Sequence, residues 1–273
     1  MRIGIIGVGN IGSILARKIH NRFSMDVGML FLCDRFPEKL RDFADNDKVK
    51  ISDDPEKVCE QSDVIFLAVK PQDADNLLSQ IASIDFSEKA VVSTMTGISV
   101  STIQKALDAK NVARIMPNIP IDIGKGVIAL YFSDSFEKAR RELILKLLDP
   151  LGTVITVNEK DFPAVTALSG SGPAFIFVII EALIDVGLKM GLSYDTSRAL
   201  ILDMILGSVE LLKVKGNHPG EFRHIVTSPG GTTIEGIYSL EREGLRGTIM
   251  KVLFDTYSRA IDISKKASGV DNT

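Results

Sequence analysis

The chain has 273 residues, a net charge of −3 and a pI of about 5.7, with its lysines and arginines scattered along it. That balance offers no basic patch to nucleic acid or to an anionic membrane surface, so neither is expected as a partner. The two cysteines, Cys33 and Cys59, form no CxxC motif and read as reduced thiols. With Met1 leading straight into a strand and no secretory signal before it, a cytoplasmic location is expected.

The first element is an apolar run, Ile3–Ile6, that leads into Gly7-Val8-Gly9-Asn10-Ile11-Gly12. Apolar residues then recur at helical spacing at Ile11, Ile14, Leu15 and Ile19. Strand, G-x-G-x-x-G and helix in this order predict a dinucleotide site. Gly7 serves the tight turn, Gly9 the approach of a pyrophosphate, and Gly12 close helix–strand packing. The next apolar strand, Met29–Cys33, ends in an acid, Asp34, at the ~20-residue distance such sites use for a ribose contact.

Further strands are predicted at Val64–Val69, Val91–Ser93, Val112–Met116, Val127–Phe132 and Val154–Val157. Helices are predicted between them at Glu56–Gln61, Ala74–Ile84, Val100–Ala109 and Phe136–Leu148. The alternation predicts an α/β domain with a parallel, helix-covered sheet. Near Asn158–Phe162 the β signals stop, and helical runs follow at Pro173–Met190, Tyr194–Lys215, Ile234–Glu243 and Arg246–Lys266. We therefore expect a Rossmann-like N-terminal domain over residues 1–158 and an all-α C-terminal domain over 159–273. The stretch Pro173–Leu192 is strongly apolar but contains Glu181, Asp185, Lys189, Gly187 and Gly191, which fits a buried helix better than a membrane span. Such a helix is either central to its domain or buried against a partner subunit. His20, His218 and His224 show no metal-ligand spacing, so no metal site is expected.

Ligands of open α/β sheets sit at the carboxyl ends of strands. Four loops fall there: the glycine loop, Ala68-Val69-Lys70-Pro71-Gln72, Ser93-Thr-Met-Thr-Gly97, and Arg114-Ile-Met-Pro-Asn118-Ile-Pro120. Two more polar segments lie in the helical half. Thr166-Ala-Leu-Ser-Gly-Ser-Gly-Pro173 precedes the long apolar helix, with Ser171 or Gly172 as its expected cap. Val226-Thr-Ser-Pro-Gly-Gly-Thr-Thr233 precedes another helix, with Thr232 or Thr233 as the expected N-cap. Such a helix start suits a small anion, most simply a carboxylate.

Ala-Val-Lys-Pro-Gln (68–72), Arg-Ile-Met-Pro-Asn (114–118), Thr-Ala-Leu-Ser-Gly-Ser-Gly-Pro-Ala (166–174) and Val-Thr-Ser-Pro-Gly-Gly-Thr-Thr (226–233) together resemble the pyrroline-5-carboxylate reductase family. They occur in that family's order, and the resemblance runs to about Ile263. It implies NAD(P)H-dependent reduction of the cyclic imine 1-pyrroline-5-carboxylate to L-proline. It also implies a helical domain that interlocks in a homodimer, in some members built into larger rings.

On the same resemblance, Gly7, Gly9, Asn10, Ile11 and Gly12 hold the pyrophosphate, and Ala68, Val69, Lys70, Pro71 and Asn118 surround the ribose and nicotinamide. Ser228, Gly231, Thr232 and Thr233 grip the substrate carboxylate, and Thr166 lies near the imine nitrogen. Asp34 favours NADH by bonding a 2′-hydroxyl, whereas Arg35 favours NADPH by clamping a 2′-phosphate. The family's habit of an arginine here points to NADPH. Two positions depart from the pattern: Ser93–Gly97 replaces a more alanine-rich segment, and Pro163 stands where an acid is common. Related imine and β-hydroxyacid reductases often carry a catalytic lysine on the long helix, but here none precedes Lys189. A catalytically silent nucleotide-binding paralogue is the other alternative, and the hydroxyls of Thr166, Ser228 and Thr233 argue against it.

Overall fold

The computed structural model describes residues 1–20 and 28–267, so the last six residues of the expected helical domain lie outside it. Two compact units emerge. One comprises Met1–Ser171 together with the chain from Thr256 onward, and the other is Gly172–Asp255.

The first unit is built on an eight-stranded sheet: β1 (Arg2–Ile6), β2 (Met29–Cys33), β3 (Val49–Ser52), β4 (Val64–Leu67), β5 (Ala90–Ser93), β6 (Asn111–Pro117), β7 (Gly126–Phe132) and β8 (Gly152–Thr156). The strand order is β3-β2-β1-β4-β5-β6-β7-β8. The first six strands in that order are parallel, β7 pairs antiparallel with β6, and β8 runs parallel to β7. The order reverses between β1 and β4, which is the crevice where such sheets bind dinucleotides.

Both faces are covered, as the near-continuous apolar strands require. Successive side chains alternate between two cores. Ile3, Ile5, Val64 and Phe66 face one, with Ile14, Leu15 and Ile19 of α1 (Asn10–His20) and Ile144 of α5 (Lys138–Leu148). Ile65, Leu67 and Val91 face the other, with helices α2 (Pro55–Gln61), α3 (Ala74–Ile81) and α4 (Val100–Leu107). Each fully buried Leu, Ile or Phe contributes about 1.5–3 kcal/mol, so the α1 stripe alone anchors the turn that precedes it.

Cys33 and Cys59 lie buried in the second core as free thiols, and loss of hydration pushes both up to about 12. Neither is expected to react with a thiol reagent at pH 8 until the protein is unfolded in denaturant. Rapid labelling of the native protein would contradict their placement.

A short helix, α6 (Phe162–Val165), runs into a π turn, Thr166–Gly170, and then into α7 (Gly172–Lys189). The remaining helices are α8 (Tyr194–Lys215), α9 (Pro219–Ile225), α10 (Thr232–Arg242) and α11 (Leu245–Ala267). The division between the units falls within α11, whose later part packs in the first unit, where Ile263 lies against Gly97.

The second unit has almost no core of its own. Among its residues only Ile184, Gly187 and Ser197 are buried. Gly187 exists to let α8 approach α7, because a Cβ there would collide with the Ser197 side chain. The expected burial of the apolar helix is not achieved within the chain: Ile176, Phe177, Val178 and Ile179 are all exposed, Val178 to 64%. By length and composition alone, Glu159–Lys189 is apolar enough to cross a membrane.

Candidate active site

The sheet order sets β2, β1, β4, β5 and β6 side by side, so the loops at their carboxyl ends line one edge. The glycine loop fills the roles expected of it. Gly7 has φ +95°, and a Cβ there would lie 2.7 Å from the carbonyl carbon and oxygen of Ala68. A Cβ on Gly12 would collide with the Gly7 carbonyl oxygen, so α1 packs on the turn only because Gly12 is bare. Gly9 has open space where its Cβ would be. That vacant approach beside the first turn of α1 fits a pyrophosphate. The loop is fastened to its neighbours through Gly7 N–H to the Cys33 carbonyl and Ala68 N–H to the Ile6 carbonyl, both at 2.8 Å.

At the end of β2, Asp34 turns under the glycine loop. Its Oδ2 accepts from Val8 N–H at 2.7 Å and its Oδ1 from Phe36 N–H at 3.0 Å. Lys39 Nζ donates to both oxygens, at 3.2 and 3.3 Å. Arg35 points elsewhere, to Asp73 Oδ1 at 2.9 Å, and its guanidinium also lies 4.9 Å from the Phe36 ring centroid. Lys39 was not singled out from the sequence, where it looks like one surface cation in a charged stretch.

At the ends of β4, β5 and β6 the backbone changes direction. Lys70 is extended, and Pro71 opens a 3₁₀ turn over Pro71–Asp73 that carries the chain away after Ala68 and Val69. Thr94 N–H donates to the Leu67 carbonyl at 2.9 Å. Asn118 is buried, and its Oδ1 accepts from Val127 N–H at 2.8 Å, so this side chain holds the start of β7 as well as facing the sheet edge. A hollow lined by Arg2, Glu60, Asp63, Glu88 and Lys89 lies at the opposite edge, where the strands begin, and plays no part here.

Thr166 begins the π turn, and Ser171 N–H reaches back to its carbonyl at 2.8 Å. Such turns are rare and frequently fall at functional sites. The Thr166 hydroxyl donates to the Phe162 carbonyl at 2.8 Å, which leaves its oxygen to act as an acceptor. Pro163 sits in the first turn of α6, where a missing N–H costs nothing. The segment is pinned to the sheet by Arg114 of β6, which pairs with Glu159 at 3.3 Å and lies 4.4 Å over the ring of fully buried Phe162. Burial pushes the Arg114 guanidinium pKa down, and Glu159 opposes that shift. Neither the pair nor the π turn was foreseen, since partners 45 positions apart leave no local signal.

In the second unit, Ser228-Pro229-Gly230-Gly231 forms a turn closed by Gly231 N–H to the Ser228 carbonyl at 3.2 Å, with Gly230 at φ +66°. A Cβ on Gly231 would come within 2.5 Å of Ser228 Oγ, so the bare glycine makes room for that hydroxyl. The cap differs from expectation: Gly231, not a threonine, is the N-cap of α10, with no side-chain bond. Thr232 and Thr233 are the first two helical residues, which leaves the first-turn N–H groups without a side-chain acceptor. The expected start of α7 is found, with Ser171 as the residue before it and Pro173 in its first turn. The helix begins at Gly172, one residue after the π turn.

Sheet order, glycine loop and a polar strand-end edge define a dinucleotide-binding protein of the doubly wound class. The comparisons agree. Residues 2–97 match a family model described as NADP oxidoreductase, coenzyme F420-dependent, and residues 159–263 match pyrroline-5-carboxylate reductase dimerisation. The chain is 36% identical to a pyrroline-5-carboxylate reductase of Aquifex aeolicus, covering 95% of this chain and 96% of that one. It is 34% identical to the enzyme of the same name from Methanosarcina acetivorans, covering 97% and 98%. The crystal structure of Plasmodium falciparum pyrroline carboxylate reductase with NADP bound superposes with a TM-score of 0.87 at 28% identity, covering 97% of this chain and 98% of that one. The chain belongs to the pyrroline-5-carboxylate reductase family.

Proposed function

We propose that this protein reduces 1-pyrroline-5-carboxylate to L-proline with NADPH, as a homodimer in the cytoplasm. The observation that carries the reading is the near full-length similarity to reductases of that name, from two distant organisms. The NADP held by the Plasmodium relative supports the cofactor.

When bound, the reduced nicotinamide supplies a hydride to the imine carbon. The chain's own task is to position two reactants. Gly7, Gly9, Asn10, Ile11 and Gly12 hold the pyrophosphate. Asp34 and Arg35 stand at the adenosine ribose, and Ala68, Val69, Lys70, Pro71 and Asn118 flank the nicotinamide half. Ser228, Gly231, Thr232 and Thr233 bind the substrate carboxylate through hydroxyls and first-turn N–H groups. Thr166 is the residue beside the imine nitrogen. Its proton is already given to the Phe162 carbonyl, so its oxygen accepts from the protonated imine N–H. It thereby orients the ring, while the proton on nitrogen comes from water.

A domain boundary at 158/159 is supported by the start of the dimerisation match at residue 159. A helical unit with three buried residues has to bury its apolar faces against something, and a second copy covers α7 without leaving Glu181, Asp185 and Lys189 in lipid. The larger rings implied by the resemblance would be assembled from that dimer. Net charge supports no nucleic-acid or membrane partner.

The test is direct. Purified protein with synthetic 1-pyrroline-5-carboxylate should consume NADPH absorbance and form proline in equal amounts, and absence of turnover with either NADPH or NADH overturns the reading. Thr233→Val should raise KM for the imine roughly 10-fold, the effect of losing one hydrogen bond to a charged group, and leave the Kd for NADPH unchanged. Equal loss of both would count against a role in carboxylate binding.

A further inference from the structure

We propose that Ile263 is a positioning residue for hydride transfer: its Cγ2 methyl abuts Gly97 and so sets the loop Thr94–Gly97 at the nicotinamide end of the cofactor cleft. The inference rests on the reading above in taking the strand-end edge to hold NADPH.

The loop leaves the carboxyl end of β5, between the loops that follow β4 and β6. Its inner side is fixed. Thr94 N–H donates to the Leu67 carbonyl at 2.9 Å and Met95 N–H to Ser93 Oγ at 3.2 Å, while the Met95 and Ile98 side chains sit in the second core. Farther on, Glu159 Oε1 accepts from Val100 N–H at 2.6 Å. Between these anchors Gly97 turns with φ +83° and is buried, whereas Thr94 and Thr96 stay partly exposed.

The cover over Gly97 comes from α11. A Cβ on this glycine would lie 3.1 Å from Ile263 Cγ2 and 3.2 Å from the Ile263 carbonyl oxygen, and the three nearest atoms all belong to Ile263. A β-branched residue in a helix has one strongly preferred χ1, so Cγ2 is a fixed stop rather than a movable arm. Ile263 is itself only partly buried, so filling a core is not its main contribution. The stop is delivered by a helix that begins in the second unit and ends in the first. Without it the loop can yield outward by the width of a methyl. Hydride transfer punishes such freedom, because a misplacement of about 1 Å costs on the order of 100-fold in rate.

Two substitutions separate positioning from packing. Ile263→Val keeps Cγ2 and loses only the terminal methyl, whereas Ile263→Leu keeps the volume but carries a single γ carbon. For a packing role leucine is the milder change, since volume-conserving swaps are tolerated best. For the positioning role valine is. Measured per NADPH-binding site, kcat should fall roughly 10-fold in Ile263→Leu and stay within about twofold in Ile263→Val. The Kd for NADPH from calorimetric titration should change in neither, because the pyrophosphate contacts are untouched. The fluorescence emission of bound NADPH, which reports the surroundings of the nicotinamide, should shift in Ile263→Leu and not in Ile263→Val. Counting sites by titration keeps an unfolded fraction from imitating the loss. A leucine variant that matches wild type in kcat and emission overturns the proposal, and so does a valine variant that loses as much as leucine. Wild type that binds NADPH without turnover overturns the functional reading instead, and the emission comparison then still decides the role of Ile263.

Discussion

Gly12→Ala is expected to abolish useful reductase activity while leaving a destabilised but foldable protein. The added Cβ meets the Gly7 carbonyl oxygen, which belongs to the turn that α1 closes on. Neither side can yield easily. Gly7 is held at φ +95° with its N–H on the Cys33 carbonyl, and α1 is seated by Ile14, Leu15 and Ile19 in the core. Relief requires α1 to shift, at a cost of about 3 kcal/mol, the upper end for forced overpacking. A displacement of about 1 Å at the pyrophosphate loop lowers kcat/KM by roughly 100-fold or more. Gly9→Ala provides the contrast, because nothing in the chain lies where its methyl would go. That variant should melt with the wild type yet bind NADPH weakly. Thermal unfolding and cofactor titration of both variants check the pair. A Gly12→Ala protein with wild-type affinity for NADPH would refute the account of the loop.

Glu159→Ala should cost about 3–5 kcal/mol of stability, the range for a buried charge deprived of its partner. Arg114 is 7% exposed, its Nε has no acceptor, and Glu159 is its compensating anion. The same Oε1 accepts from Val100 N–H at 2.6 Å, at the first turn of α4, where a negative charge also meets the positive end of the helix. One carboxylate thus ties β6, α4 and the segment entering α6. Glu159→Gln keeps an acceptor for Val100 and should lose less. Arg114→Met/Glu159→Ala should recover much of the loss, because no lone charge stays buried. Denaturant unfolding of the three variants measures each value, and a double variant weaker than Glu159→Ala would contradict the charge argument. Activity should fall in step, since Thr166 lies on the same continuous segment.

The alternation of strand and helix was readable because most strands are apolar on both faces and bounded by turn residues. The strand that escaped, β3, is a short edge strand in which Lys50 and Ile51 are exposed, so it offers no apolar run. The reversal at β7 was equally hidden. Pairing direction follows from the path of the connection, and residue types along Gly126–Phe132 are those of any buried strand. At the site, Gly7 and Gly12 were informative because each solves a steric problem that a side chain would create. Lys39 and Glu159 were not, because their meaning depends on Asp34 and Arg114 being delivered to them by the fold. The cap of α10 was misassigned for a related reason: two threonines at a helix start look like caps, but the turn closed by Ser228 places Gly231 there instead.

The near absence of a core in Gly172–Asp255 has a bearing on how much working enzyme a cell obtains from its message. A newly made chain carries a finished nucleotide-binding unit and a helical unit that cannot complete itself alone. On the homodimer proposed above, maturation becomes a second-order event, and the folded fraction falls as synthesis slows. Chains still unpaired present greasy helices to proteases and chaperones. Halving expression should therefore remove more than half of the activity, a steeper dependence on gene dosage than a self-sufficient enzyme would show.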